Sequence, residues 1–154
     1  MYLFINTADP QILFLVLLDR KGEILIKKEI KAKYQQSERL LSEIGKLVSE
    51  YPVSKYKSVK VLKGIIVVTG PGSFSGLRIG LATANSIAWA LQIPIVGLRF
   101  YNSVQCPVSK CQESMQKIIK KGFTLIKNRK KFNKPIMPFY GKKPNINLKN
   151  TKNN

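Results

Sequence analysis

The chain contains no histidine and only two cysteines. Without histidine there is no Ser-His-Asp triad, no imidazole general base and no imidazole metal ligand. Cys106 and Cys111 lie too far apart for a CxxC pair and have no second pair to complete a zinc site, so two reduced, structural thiols are expected. Long apolar runs are also missing. The longest, Ile12 to Leu18, is seven residues, against the roughly 20 that a membrane helix needs. Met1-Tyr2-Leu3 leads straight into a strand-like stretch, with no basic n-region and no cleavage site. The expectation is a cytoplasmic chain with no secretory signal and no membrane contact. Acidic residues are scarce, 8 against 27 Lys and Arg. The imbalance is uneven: residues 101–154 carry 13 cationic residues and a single acid, Glu113. A tail of that charge attracts polyanions, although a lysine-rich proteome would give the same composition with no such partner.

What is present suits one α/β domain, with 154 residues and a hydrophobic fraction of 44%. Residues 2–7 and the apolar run Ile12 to Leu18 are expected as strands, the second of them central. Asp19-Arg20-Lys21-Gly22 makes a hairpin turn. Glu23 to Ile30 then alternates as an edge strand with exposed lysines, closing an antiparallel meander. Gln35 to Tyr51 has a helical stripe of Leu40, Leu41, Ile44, Leu47 and Val48, with Ser37 as a candidate cap and Pro52 as the stop. A lysine-rich linker, 54–63, leads to Ile65-Ile66-Val67-Val68-Thr69, a buried strand. Residues 93–98 form a fifth strand, parallel to the fourth by the crossover rule. The order is βββαβαβ, a mixed five-stranded sheet.

Between the fourth and fifth strands lies GPGSFSGLRIG, residues 70–80. Glycines and Pro71 make a tight turn, Ser73 or Ser75 caps the helix that follows, and Leu77, Leu81, Ala84, Ala88 and Leu91 share one face of it. Strand, glycine-rich turn and helix N-terminus together can present N–H groups to an anion, with Arg78 one turn in. Yet Gly70, Gly72 and Gly76 fit neither the P-loop spacing nor the dinucleotide fingerprint, where Ser75 replaces the third glycine. A phosphate cradle and a turn that binds nothing both stay open.

The same stretch resembles the signature of the TsaB (YeaZ) family, usually written GPGSFTGLRIG, with Ser75 in place of threonine. LFINTAD at 3–9 and QSERLLSEI at 36–44 resemble further family segments, and Ile136-Met137-Pro138-Phe139-Tyr140 with Pro144 resembles the family's ending. The resemblance implies an actin-like (ASKHA, RNase H-like) lobe over residues 1–100. It further implies that 101–154 are a short basic remnant of a second lobe, one helix over 111–126 followed by an irregular tail. Two positions depart from the family pattern. Asn6 replaces an aspartate that lies near the nucleotide and metal in catalytic actin-like ATPases, and Gln36 or Ser37 falls where the family has histidine. An amide is a poor substitute for a carboxylate as a Mg²⁺ ligand. With a lobe missing as well, neither ATP hydrolysis nor any cofactor, metal or catalytic residue is expected.

What the resemblance implies instead is a non-catalytic partner subunit in the synthesis of N6-threonylcarbamoyladenosine in tRNA. It would dimerise with the catalytic subunit, TsaD, in an assembly that an ATPase, TsaE, also joins. The pairing helices would place Leu40, Leu41, Ile44 and Leu47, and Leu77, Leu81, Ala84 and Ile87, at the interface. The residues agree in part, because the second helix is apolar on more than one side, Ile79, Ile87 and Trp89 adding to its stripe. The chain's own C-terminal segment is the competing cover for that surplus. Gly70, Pro71, Gly72, Ser73, Ser75, Gly76 and Arg78 would form a loop that contacts a partner or an anion. A homodimer through the same face and a tRNA contact through the basic tail are further expectations. The alternative function is an RNA-binding accessory protein driven by that tail.

Overall fold

The computed structural model describes residues 1–33, 35–50, 61–100 and 108–141, giving the backbone alone for 108–112. Most of the lysine-rich linker, Pro52, Cys106, Pro144 and residues 142–154 lie outside the described residues, as does the side chain of Cys111. The strands are β1 (Tyr2–Asn6), β2 (Ile12–Leu18), β3 (Ile24–Lys31), β4 (Gly64–Gly70) and β5 (Ile95–Arg99). The helices are α1 (Gln36–Ser49), α2 (Phe74–Ala90) and α3 (Val108–Lys127).

One five-stranded sheet runs in the order β3-β2-β1-β4-β5. β1 is antiparallel to β2 and parallel to β4, and β4 is parallel to β5. The mixed βββαβαβ sheet is therefore present. The middle strand is β1, which corrects the expectation that β2 is central; β2 lies one strand in from the edge. β3 is the edge strand, with Lys27 and Lys31 exposed and Lys28 half-buried.

Side chains one residue apart on a strand point to opposite faces, and both faces of this sheet are covered. Leu3, Ile5, Leu15 and Val67 pack beneath α1 and α2. Phe4, Val16, Ile66 and Leu98 point the other way, towards Ile119 and Ile126 of α3. Burial on both sides explains why β2 and β4 are continuous apolar runs. Each fully buried aliphatic side chain contributes on the order of 1.5–3 kcal/mol.

Turn chemistry sets the connections. Asp19 Oδ1 accepts from the N–H groups of Lys21 and Glu23 at 2.7 and 2.9 Å, closing the β2–β3 turn with Gly22 at φ 91°. In the β1–β2 turn, Asp9 Oδ1 accepts from Gln11 and Ile12. At the start of α1 the expected cap, Ser37, is corrected: Gln35 is the N-cap and makes no side-chain capping bond. Gln36 is buried there instead, and its Nε2 donates to the Asp9 carbonyl at 2.7 Å, fastening the helix start to the β1–β2 turn. α1 ends at Ser49, with the Glu50 N–H donating to Lys46 O. β5 begins at Ile95 rather than Ile93, because the Ile93 N–H still donates to Ala88 O and Gln92 takes a left-handed φ of 53°.

Candidate partner face and signature loop

α2 starts where the signature loop ends. Ser73 is its cap: Ser73 Oγ accepts from the Gly76 N–H at 3.3 Å, and Ser73 O accepts from Leu77 N–H at 2.9 Å. The Ser73 N–H itself donates to Ala8 O at 2.8 Å. Three backbone donors that an anion cradle would employ are thus consumed within the protein. Ser75, the other cap candidate, has its Oγ 3.3 Å from that of Ser73.

The glycines of the loop are placed by contact. Gly70 has φ 124°, a conformation that favours glycine, and a Cβ there would strike the Phe139 carbonyl. On α2 a Cβ at Gly76 would strike Thr7 O, and one at Gly80 would strike Thr7 Oγ1. The motif spacing is therefore that of a helix lying directly on the end of β1. Thr7 is fully buried in this contact, and among the described residues its hydroxyl has no hydrogen-bond partner. Asn6 turns back on its own chain, its Oδ1 accepting from Ala8 N–H at 3.0 Å. A neutral amide engaged in this way suits a hard divalent cation poorly. Among the described residues no cluster of three or more His, Cys, Asp or Glu could hold a metal.

Arg78 is exposed but engaged with its neighbours. Its guanidinium carbon lies 3.9 Å from the Phe74 ring centroid, and its Nε donates to the Tyr140 hydroxyl at 3.0 Å. Tyr140 belongs to the segment after α3, which crosses the molecule. Arg129 Nη1 donates to Ile95 O at 3.2 Å, and Asn85 of α2 grips Ile136 twice, with Oδ1 accepting from its N–H at 2.8 Å and Nδ2 donating to its carbonyl at 2.9 Å. Phe139 N–H then donates to Thr69 O at 2.8 Å. Residues 128–141 form a strap along β5 that ends at the signature loop. It covers part of the apolar surplus of α2, since Phe132 and Ile136 pack against the same core as Ile79.

The eight residues expected at a partner interface divide sharply. Leu40, Ile44, Leu47, Leu77, Leu81, Ala84 and Ile87 are buried in the chain's own core, 0–9% exposed, and as partner-facing residues they are corrected. A periodic apolar stripe marks the face a helix turns to its own sheet. Leu41 alone faces outward, 60% exposed. Trp89, at the end of α2, is 64% exposed. The rest of the exposed surface of the pair mixes small side chains, Ser42, Gly45 and Ser49 on α1 and Ser75, Ala82, Ser86 and Ala90 on α2, with charged ones, Glu38 and Lys46 on α1 and Arg78 on α2. A Cβ at Gly45 would meet nothing within 4 Å.

Sequence reasoning missed Asn85 and Arg99. Neither carries a local signal, because each is defined by a residue of the strap far along the chain. Glu43, also unforeseen, is a buried carboxylate on α1. It accepts from Lys46 Nζ at 2.9 Å and has Arg39 at 3.7 Å. The Lys46 hydrogen bond and these cations hold its pKa below the usual value, against the opposing effect of desolvation.

Comparison with known proteins bears on this geometry. A family model described as TsaD, tRNA N6-adenosine threonylcarbamoyltransferase, matches residues 29–106, just over half of the chain. The tRNA threonylcarbamoyladenosine biosynthesis protein TsaB of Bacillus subtilis is 53% identical over 34 residues, 22% of this chain and 15% of that protein. The tRNA N6-adenosine threonylcarbamoyltransferase of Geotalea daltonii is 38% identical over 45 residues, 29% of this chain and 13% of that protein. Among solved structures, YeaZ from Pseudomonas aeruginosa superposes with a TM-score of 0.53 at 25% identity, covering 64% of this chain and 44% of that one. A second Pseudomonas aeruginosa protein, described as similar to peptidase YeaZ, gives a TM-score of 0.56 at 24% identity, over 64% and 42%. The matched region spans less than half the length of these structures and about a seventh of the curated relatives. The mixed sheet with its flanking helices is the actin-like fold of these neighbours, and the chain belongs to the family that the threonylcarbamoyltransferase model describes, as a member of the TsaB/YeaZ type.

Proposed function

We propose that this chain is a non-catalytic subunit in the synthesis of N6-threonylcarbamoyladenosine in tRNA, pairing with a TsaD-like catalytic subunit through the outer face of α1 and α2. The observation that carries the reading is that face. Leu41 and Trp89 are 60% and 64% exposed on these helices, among the small side chains of Ser42, Gly45, Ser49, Ala82, Ser86 and Ala90, with Glu38, Lys46 and Arg78 the exposed charges. Small residues allow a facing helix to approach closely, and two large apolar side chains supply the anchors around which an interface is built. The kinship with TsaB and with threonylcarbamoyltransferases supports the pathway. A partner role rather than a catalytic one is supported by the chain's lack of histidine and by the engagement of Asn6 with its own backbone. A TsaE-like ATPase would reach the chain only through the assembly. A homodimer through Leu41 and Trp89 would be the form of an unpartnered copy, in the cytoplasm where tRNA is modified.

The test is co-purification with a TsaD-like subunit followed by sizing. A stoichiometric complex that is lost in Leu41→Glu, with the thermal melt of the chain unchanged, is the expected result. Leu81 is unsuitable as a probe, because a charge at a residue 3% exposed tests folding rather than pairing. A chain that runs alone beside the catalytic subunit at micromolar concentration would overturn the reading.

A further inference from the structure

The signature loop and the end of the strap together build a feature that pairing through α1 and α2 does not employ. Phe74, the first residue of α2, is 54% exposed. Its ring lies 4.7 Å from that of Tyr140 at an interplanar angle of 33°, with Arg78 stacked on it and bonded to the Tyr140 hydroxyl. Beside Tyr140, the Phe139 ring carries a second guanidinium, that of Arg99, at 3.9 Å. Among the described residues neither arginine forms a salt bridge. Two arginine–aromatic stacks thus sit side by side at the C-terminal end of β4 and β5, presenting ring and guanidinium surface to solvent.

The strap supplies the second half. Lys127, Arg129, Lys130, Lys131 and Lys134 are all exposed, and no acidic residue follows Glu113 in the chain. The strap passes Ile95 at Arg129 and reaches Thr69 at Phe139. It therefore follows β5 from its first residue to its last, about 13 Å at strand rise. A track of cations leads into a cluster of rings.

We propose that this end of the molecule binds single-stranded nucleic acid, the strap cations following the phosphates and the Phe74–Arg78–Tyr140 cluster stacking an unpaired base. A cationic groove joined to aromatic platforms is the physical recipe for single-strand binding, because every base has a π-face and every nucleotide a phosphate. Folding gives no reason to leave the Phe74 ring half in water, whereas stacking on a base would cover it. An acidic protein segment would satisfy the lysines and leave the rings unexplained. The proposal is separate from the pairing reading, since Phe74 and Trp89 lie at opposite ends of α2, roughly 22 Å apart.

The experiment is fluorescence anisotropy of the full chain with a labelled oligouridine and, in parallel, an oligothymidine of equal length. Polyglutamate serves as competitor. Binding is expected to weaken about 5- to 150-fold in Phe74→Ala at fixed salt, with the dependence on salt unchanged. Phe74→Trp should keep wild-type affinity. The Lys130→Glu, Lys131→Glu double variant should instead flatten the salt dependence. Preference for uridine over thymidine would assign RNA, and equal binding would assign single strands of either kind; both support the site. Should Phe74→Ala melt early, Phe74→Leu against Phe74→Trp makes the same comparison. No binding, an affinity indifferent to the ring at position 74, or full displacement by polyglutamate would overturn the proposal. Any of these outcomes leaves co-purification with a catalytic subunit unaffected.

Discussion

Two regions of the molecule furnish surfaces of opposite character. The outer face of α1 and α2 carries many small side chains, the charges of Glu38, Lys46 and Arg78, and the large apolar Leu41 and Trp89. The strap is crowded with lysine, arginine and aromatic rings. The first surface is suited to a protein that packs closely on its small side chains and around its two large apolar ones. The second is suited to a ligand that brings negative charge and flat rings. What divides them is that the strap stops short of Leu41 and Trp89: it fastens to Asn85 and Arg78 and leaves both exposed.

The largest expected effect comes from exchanging the inner and outer positions of one helix pair. Leu81→Glu places an uncompensated charge in the core and should cost roughly 3–5 kcal/mol, a large part of the stability of a domain of this size. Leu41→Glu should leave the melting temperature within about 1–2 °C. Both are read by thermal denaturation of the isolated chain. Equal destabilisation by the two would erase the distinction between the core face and the free face of α1 and α2.

Next in size is the strap. Asn85→Ala removes two hydrogen bonds to Ile136, each worth about 0.5–1.5 kcal/mol net. Amide hydrogen exchange at 136–140 should therefore quicken by roughly one to two orders of magnitude, while β1 and β2 keep their protection. Uniform acceleration across the sheet would mean that the strap is integral to the core and not a separate layer upon it.

This contrast also explains how much could be foreseen. The strands were legible because burial on both faces forces a continuous apolar run, as in Ile12 to Leu18, and α2 was legible from its capping serine and its periodic leucines. The same periodicity misdirects a search for a partner. Leu40, Ile44, Leu77 and Leu81 recur at helical spacing because the sheet demands it, whereas a free face has no period, and Leu41 and Trp89 are visible only as what the sheet leaves over. Asn85 and Ile136 pair across more than 50 positions, and no local pattern announces such a bond. The glycines of the signature loop could be seen but not interpreted. Anion cradles and close helix packing both call for a missing side chain, and only the position of Thr7 against Gly76 and Gly80 distinguishes them.

That contact gives a smaller effect. Thr7→Val replaces a buried hydroxyl that has no hydrogen-bond partner among the described residues with a methyl of the same shape. Stability should rise by about 1 kcal/mol, measured by urea denaturation. A loss instead would show that the hydroxyl has a partner, such as a bound water.

The smallest effect is electrostatic and belongs to α1. Glu43 has its pKa lowered, first by the hydrogen bond from Lys46 and then by the charges of Lys46, Arg39 and Lys28. The folded form therefore prefers the carboxylate more than the unfolded chain does. The stability this contributes is fully present above the ordinary glutamate value of 4.5 and drains away as pH falls through the lower, folded value. Glu43→Gln should accordingly narrow the gap in melting temperature between pH 7 and pH 3, with the variant and the parent converging at the acid end. The other acids on this face, Glu38 and Glu50, are exposed and should not reproduce the effect when changed to glutamine. Convergence at neutral pH instead would mean that Glu43 supports α1 through shape alone.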